Sequence, residues 1–379
     1  MIKVLFFIES LSGGGAEKVL CDIVKGLDKA KYDITVKTVT DNGIYDEEVK
    51  RTCKYESILK VKYNQSTFLK KIVYKIKYKL MYSLPAKYIY KLIVRERYDI
   101  EIAFVEGYAT KIIGSYRISG VKKIAWVHVD PIERSYADNY FNSISDHSEC
   151  YSSFDRIICV SDSVKRAFLE KYQIEGDKVI KIYNPINKNN IIEKALQYKS
   201  NIPKSTFRLV TVGRLVKEKG FDRLLRCISR LKNIDNIYTE LIILGEGDLK
   251  SQFMEYIKEN NLIQNVKLLG FKKNPYPYIA SADLFVCSSR AEGFSLVIAE
   301  ALVLGVPVIS TNCSGPNELL EFGESGILVD NNEEALYKAL KSVIKNDVLL
   351  GELRFKSQKR AKSFEYDQSI SYIEDVLQI

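Results

Sequence analysis

The chain opens on a continuous apolar run, Val4–Ile8, followed by Ser12-Gly13-Gly14-Gly15 and then by Val19, Leu20, Ile23, Val24 and Leu27 at helical spacing. An unbroken apolar run suits a strand buried on both faces, and the order strand, glycine loop, helix suits a parallel sheet. Ile34–Val39 reads as the next strand, and Ile100–Val105, Ile124–Val127 and Ile157–Val160 follow with helical stretches between them. Tyr183-Asn184-Pro185 stops the pattern, and 186–205 is polar with no strand signal. A second series then predicts strands at Leu209–Val212, Leu241–Leu244, Val266–Leu269, Leu284–Cys287 and Val308–Ser310, with Leu224, Leu225, Ile228 and Leu231 on one helix. The expected fold is α/β, with two Rossmann-like domains, 1–185 and 186–363, facing a cleft. Ligands of such sheets bind beyond the carboxyl ends of the strands, so the loops there are where chemistry is expected.

The chain has 379 residues, a length for two or three domains, and 46% apolar with 28% charged residues, a globular balance. Net charge is +9, but Lys60–Arg97 alone carries eleven Lys/Arg against Glu96, so the rest of the chain is near neutral. That concentration argues against a protein that coats nucleic acid. Seven scattered cysteines without a C-x-x-C pair fit a reducing cytosol, and two histidines, His128 and His147, exclude a His-rich metal site. No apolar run approaches the ~18 residues of a membrane helix, and Val4–Ile8 is too short for a signal sequence. A Walker-type phosphate loop and a full G-x-G-x-x-G are both absent.

The sharpest chemical feature is Glu292-Gly293-Phe294-Ser295-Leu296 leading into Val297-Ile298-Ala299-Glu300. Glu300 is the lone charge between Phe294 and Ile309, in a segment expected to be a buried helix. An ionised carboxylate there needs partners, either a Lys or Arg elsewhere in the fold or the hydroxyls of a ligand. The amides of Phe294, Ser295 and Leu296 would open a helix and favour an anion. In Gly213-Arg214 through Lys219-Gly220, two cations follow a strand; they either grip a diphosphate or form an ordinary solvated basic loop.

Together these segments resemble the retaining GT-B glycosyltransferases of family four. Glu292–Glu300 is similar to that family's E-x7-E, and Gly213–Gly220 to its G-R-x-x-x-x-K-G element. Ser12–Glu17 resembles its N-terminal glycine loop, and Tyr183-Asn184-Pro185 its interdomain crossing. The resemblance implies that Glu300 binds ribose hydroxyls, that Glu292 holds donor-sugar hydroxyls, and that Arg214 and Lys219 bind the diphosphate. It places Gly293, Phe294, Ser295 and Leu296 along the sugar and phosphate pocket. Gly13, Gly14 and Gly15 would let donor phosphate or acceptor approach closely. Phe271 belongs to a segment similar to the base-contacting loop. Gly245 either borders the nucleotide or turns the chain into the next helix. His128, at a strand end, would reach the donor sugar, while Glu106, Tyr108 and Asp130 are candidates for the acceptor side; His147 is given no role. The C-terminal segment 364–379, with Ile370–Leu377, looks like the helix that returns to the first domain.

The implied reaction is retaining transfer of a hexosyl unit from a nucleotide diphosphate sugar, UDP favoured, to a saccharide hydroxyl, with no metal or other cofactor. The acceptor implied is a lipid-linked intermediate of a capsule or other surface polysaccharide. The basic segment 60–97 interleaves Lys70, Lys71, Lys75, Lys77 and Lys79 with Leu69, Ile72, Val73, Ile76 and several tyrosines. It is expected either to dock on an anionic membrane surface or to pack on its own domain with solvated lysines. The first case makes the protein cytoplasmic and peripheral to the membrane. A soluble GT-B synthase and a non-catalytic nucleotide or nucleic-acid binder are the competing readings.

Overall fold

In the computed structural model, which describes residues 1–41, 43–60, 68–200, 202–204 and 206–378, the chain divides into two units. They are Met1–Pro185 with Asp367–Ile379, and Ile186–Tyr366. The first is built on seven parallel strands: β1 (Ile2–Ile8), β2 (Tyr32–Thr40), β3 (Lys54–Leu59), β4 (Ile100–Ala103), β5 (Lys122–Val127), β6 (Arg156–Cys159) and β7 (Val179–Lys181). Their order is β3-β2-β1-β4-β5-β6-β7. The second has six: β8 (Phe207–Val212), β9 (Thr239–Leu244), β10 (Val266–Leu268), β11 (Leu284–Cys287), β12 (Val308–Thr311) and β13 (Ile327–Val329), ordered β10-β9-β8-β11-β12-β13. Each sheet reverses direction beside its first strand. Val4 lies between Ile34 and Ile100, and Leu209 between Leu241 and Leu284. These reversals, β1/β4 and β8/β11, are where an open α/β sheet leaves a crevice for ligand.

The strands beside the reversals are the apolar runs, and the helices that follow them bury one stripe each. Val4, Leu5, Phe6 and Phe7 are wholly buried, and the helix Gly15–Gly26 covers them with Val19, Leu20, Ile23 and Val24. Each such side chain removed from water contributes about 1.5–3 kcal/mol before entropy is counted. The helix Phe221–Asn233 does the same for β8 with Leu224, Leu225, Ile228 and Leu231.

Three strands have no counterpart among those expected: β3, β7 and β13. All three are sheet edges. An edge strand pairs on one side only and is partly wet, so β3 carries Lys54 and Glu56, and β7 and β13 are three residues long. The stretch 186–205 also holds more structure than its polarity suggests. The Asn187 side chain accepts from the Asn190 amide at 3.0 Å and starts the helix Lys188–Leu196, which buries Ile191.

Of the basic segment, 61–67 lies outside the described residues. The helix Phe68–Ser83 follows, and Pro85 caps a second helix, Ala86–Ile93. The C-terminal helix, Tyr366–Leu377, buries Ile370, Ile373 and Leu377, and its Glu374 carboxylate accepts from the Asp28 amide of the first unit at 3.0 Å. Among the described residues, no helix is long and apolar enough to cross a membrane.

Candidate active site

In the second unit, the loops after β8 and β11 are stitched together. Gly220 has φ +64°, and a Cβ there would stand 2.0 Å from the Ser288 carbonyl oxygen, so glycine answers both the backbone and the space. The Ser288 hydroxyl donates to the Lys219 carbonyl at 2.9 Å, and the Arg290 amide to the Glu218 carbonyl at 2.6 Å. Arg290 also holds Asp222 through two bonds of 2.7 and 2.8 Å, which keeps burial from raising the Asp222 carboxyl and leaves it lowered to about 2.

On this frame Lys219 donates to both oxygens of Glu292, at 2.8 and 2.7 Å. The resemblance gave these residues separate partners, diphosphate and sugar; the structure makes each the other's counter-charge. Arg214 stays exposed on the same loop. Glu292 turns into the helix Leu296–Val303 through Gly293 and Phe294, and its carbonyl accepts from the Gly315 amide at 2.7 Å. Ser295, immediately before that helix, is fully buried, and its hydroxyl has no hydrogen-bond partner among the described residues. A buried donor left open beside a helix N-terminus is suited to an anion. One turn on, Glu300 is 3% exposed and accepts from the Tyr276 hydroxyl at 3.4 Å.

The ends of β9 and β10 close the far side. A Cβ on Gly245, at φ +145°, would lie 1.9 Å from the Gly213 carbonyl, and the Gly245 amide donates to the Gly270 carbonyl at 2.9 Å. Phe271 follows, partly exposed, and offers an aromatic surface at a strand end. The structure thus gathers Gly213, Lys219, Gly245, Phe271 and Glu292–Glu300 at the carboxyl ends of one sheet.

The first unit treats its candidates differently. Gly14 caps the helix Gly15–Gly26 without a side-chain bond, and the Glu17 carboxylate fills the space where a Cβ on Gly14 would stand. His128 ends β5 half-buried, and its Nε2 lies 2.9 Å from the Phe104 carbonyl. A carbonyl only accepts, so Nε2 carries the hydrogen, and Nδ1 is left as an acceptor. Burial pushes this imidazole down to about 4, so it is neutral at physiological pH.

The acidic and tyrosine candidates do not face outward. Glu106 is buried and accepts from the His128 and Val129 amides and the Tyr136 hydroxyl; burial pushes its carboxyl up against those donors. It shapes the strand end that carries His128. Tyr108 is buried, with its hydroxyl on the Met81 carbonyl at 2.6 Å. The Asp130 carboxylate accepts from the Ile132 and Glu133 amides at 2.9 and 3.0 Å and closes a turn. All three side chains are held by groups of their own unit. Glu9, directly after β1, is half-buried, and the Tyr82 hydroxyl holds its carboxylate at 2.7 Å. Burial pushes its carboxyl up, with the Tyr82 bond opposing. Its signal in the sequence is its place, the first acid after a buried strand and next to a glycine loop.

Residues 193–364 match the family model for glycosyl transferases group 1, and residues 13–190 match that for glycosyltransferase family 4. The chain is 31% identical over 374 residues, 96% of each chain, to the N-acetylgalactosamine-N,N'-diacetylbacillosaminyl-diphospho-undecaprenol 4-alpha-N-acetylgalactosaminyltransferase of Campylobacter jejuni. Among solved structures it is similar to Anabaena HepE in complex with UDP and glucose, with 19% identity, TM-score 0.75, and 100% and 99% of the two chains covered. It is also similar to the sucrose-phosphate synthase of Thermosynechococcus elongatus, with 16% identity, TM-score 0.79, and 100% and 98% covered. The two sheets, their switch-point loops and the relative that matches end to end lead to one conclusion: the chain belongs to the family-four glycosyltransferases, with the GT-B fold.

Proposed function

We propose that this glycosyltransferase is a retaining hexosyltransferase that takes a sugar from a UDP-sugar and gives it to a hydroxyl of a lipid-linked saccharide during surface-polysaccharide assembly. One observation carries the donor half. A cation-carboxylate pair, Lys219–Glu292, joins the loop after β8 to the loop that leads to a helix N-terminus and a buried hydroxyl without a partner among the described residues, with a buried Glu300 one turn further. In this reading the diphosphate takes Arg214, Lys219 and the helix amides, the ribose hydroxyls donate to Glu300, and Glu292 turns to the sugar. Charge grows on the diphosphate as the bond to the anomeric carbon breaks, and fixed cations stabilise it most at that moment. The acceptor oxygen attacks the same face of the sugar and its proton passes to the departing phosphate oxygen, so no enzyme nucleophile is required. His128 Nδ1 accepts from a sugar hydroxyl. No metal is needed in this scheme.

The acceptor half rests on the Campylobacter relative, whose name specifies a polyprenyl diphosphate-linked acceptor and an α-linkage, and on the helix Phe68–Ser83. Its tyrosines 74, 78 and 82 touch in series along one face, and Tyr82 packs on Tyr108 at 4.4 Å between ring centroids. By 3.6-residue spacing, Leu69, Ile72, Val73, Ile76 and Leu80 share the opposite face. They are 39–73% exposed, and lysines 70 and 77 border them on one side and 75 and 79 on the other. An exposed apolar stripe between lysines suits the headgroup region of an anionic leaflet. This is a peripheral attachment on the cytoplasmic side.

Incubation of the purified protein with a panel of UDP-, GDP- and ADP-sugars, with and without EDTA, tests the donor assignment. Release of nucleoside diphosphate from a UDP-sugar, undiminished by EDTA, is expected. Release only from a different nucleotide sugar would correct the base, and loss restored by magnesium or manganese would overturn the metal-free scheme.

A further inference from the structure

Arg223 lies in the first turn of the helix Phe221–Asn233 and is 4% exposed. Its Nε and Nη2 donate to the Ser288 carbonyl at 2.8 and 2.6 Å, and Nη2 reaches the Ser289 carbonyl at 2.7 Å. Nη1 donates to the Asn331 carbonyl at 3.2 Å, and Nη2 is 3.4 Å from the Thr311 hydroxyl. Among the described residues, every group this guanidinium bonds to is therefore a neutral oxygen. Those oxygens come from the segments that follow β11 and β13 and from the last residue of β12. The nearby carboxylate Asp222 is engaged by Arg290 and Arg226.

A buried charge held by neutral oxygens alone is an expensive way to fasten loops, since a neutral donor would desolvate at far lower cost. Its geometry shows what the guanidinium fastens. The Ser288 carbonyl is pinned between Arg223 and Gly220, and the Ser288 hydroxyl holds the Lys219 carbonyl at 2.9 Å. Ser288 also begins the loop that ends in Glu292. The two residues of the ion pair are thus set in register through one residue that Arg223 grips from below.

We propose that Arg223 is a positioning residue for the donor diphosphate: it fixes the Ser288 strand end so that Lys219 meets the terminal phosphate while Glu292 stands on the sugar side at set spacing, and it leaves an uncancelled positive charge beneath that site. This rests on the donor-site reading above. The test is calorimetric and needs no acceptor. Affinities for UDP and UMP, or for GDP and GMP if that is the base bound, are compared in wild type, Arg223→Lys and Ser288→Ala, with thermal melting to establish folding. A charge-assisted phosphate contact is worth roughly tenfold, so wild type should prefer diphosphate to monophosphate by about that factor or more. Lysine keeps the charge and loses the fork, so Arg223→Lys should bind UMP as wild type does while its preference for UDP falls to about threefold or less. Ser288→Ala, which cuts the next link, should lose part of the same preference. A folded Arg223→Lys with an unchanged UDP/UMP ratio overturns the proposal. If that variant does not fold, an unchanged ratio in Ser288→Ala overturns it instead. A wild type that binds no nucleoside diphosphate would overturn the donor site itself, and this inference with it.

Discussion

Lys219 Nζ stands 2.8 and 2.7 Å from the two carboxylate oxygens of Glu292, so the cation proposed for the diphosphate already has a counter-charge on the sugar side of the site. Phosphate must compete with that carboxylate, and its arrival would release Glu292 toward the sugar. Removing the negative charge should therefore separate binding from turnover. Glu292→Gln is expected to bind UDP several-fold more tightly and to release nucleotide from a UDP-sugar at least about tenfold more slowly. Calorimetry and a nucleotide-release assay on the same preparation check this; weaker UDP binding would mean that the pair assists the phosphate rather than opposing it.

Arg214 is exposed on the same loop, with its charge next to the space proposed for the leaving group. Arg214→Ala should raise the barrier by a few kcal/mol, seen as a fall in kcat/KM of about 100-fold, with a melting temperature near that of wild type. A change within threefold would remove Arg214 from the diphosphate site.

Two imidazoles make stability sensitive to acid. Burial holds His128 and His147 each down to about 4. His147 lies between Phe141 and Tyr151 and bonds Asp138 at 2.9 Å. In the unfolded chain both return toward ~6.5, so their contribution is complete above that pH and is lost as pH falls toward 4. Glu9, Glu101 and Glu106, pushed up by burial, act in the opposite direction. The effect is therefore read as a difference: the loss of unfolding free energy between pH 7.5 and 5 should be smaller in His147→Asn than in wild type by on the order of 1–2 kcal/mol. Equal slopes would place the His147 pKa at its ordinary value.

The exposed stripe on Phe68–Ser83 separates two kinds of membrane contact. Replacing Lys70, Lys75, Lys77 and Lys79 by Gln should lower binding to anionic vesicles at low salt, by on the order of 1 kcal/mol per lysine. Replacing Leu69, Ile72, Val73 and Ile76 by Ser should remove the fraction that survives high salt, because insertion of apolar side chains is not screened. Vesicle flotation at two salt concentrations measures both. Wild type that floats no better than the lysine variant would end the docking proposal.

The interior of each sheet was legible because its strands are continuous apolar runs between turn residues, as in Val4–Ile8 and Leu284–Cys287. Three of the four edges were not: β3, β7 and β13 pair on one side, and their exposed face keeps polar residues or leaves too short a run to detect, while the edge β10 was expected. In the second unit, Lys219, Glu292 and Glu300 stand out because charge and glycine occur at fixed spacing in apolar surroundings. The first unit uses charge differently. Glu106 and Asp130 are strand-end acids whose carboxylates satisfy backbone amides, a use invisible without the fold. Arg223 is one of several basic residues on its helix, and its burial depends on where Ser288 and Asn331 arrive from distant sequence.

Glu300 offers the most direct test of the whole account, because a carboxylate buried in an apolar helix has a specific task to perform if it binds ribose. Its contact to a nucleotide is alike in ground and transition states, so it should appear in binding itself. Titration of UDP into wild type and Glu300→Ala by calorimetry is the measurement. Wild type should bind saturably, and the variant should lose roughly 10- to 100-fold, the worth of one or two hydrogen bonds to a charged group. UDP affinity unchanged in a folded Glu300→Ala would contradict the ribose assignment and, with it, the placement of the donor.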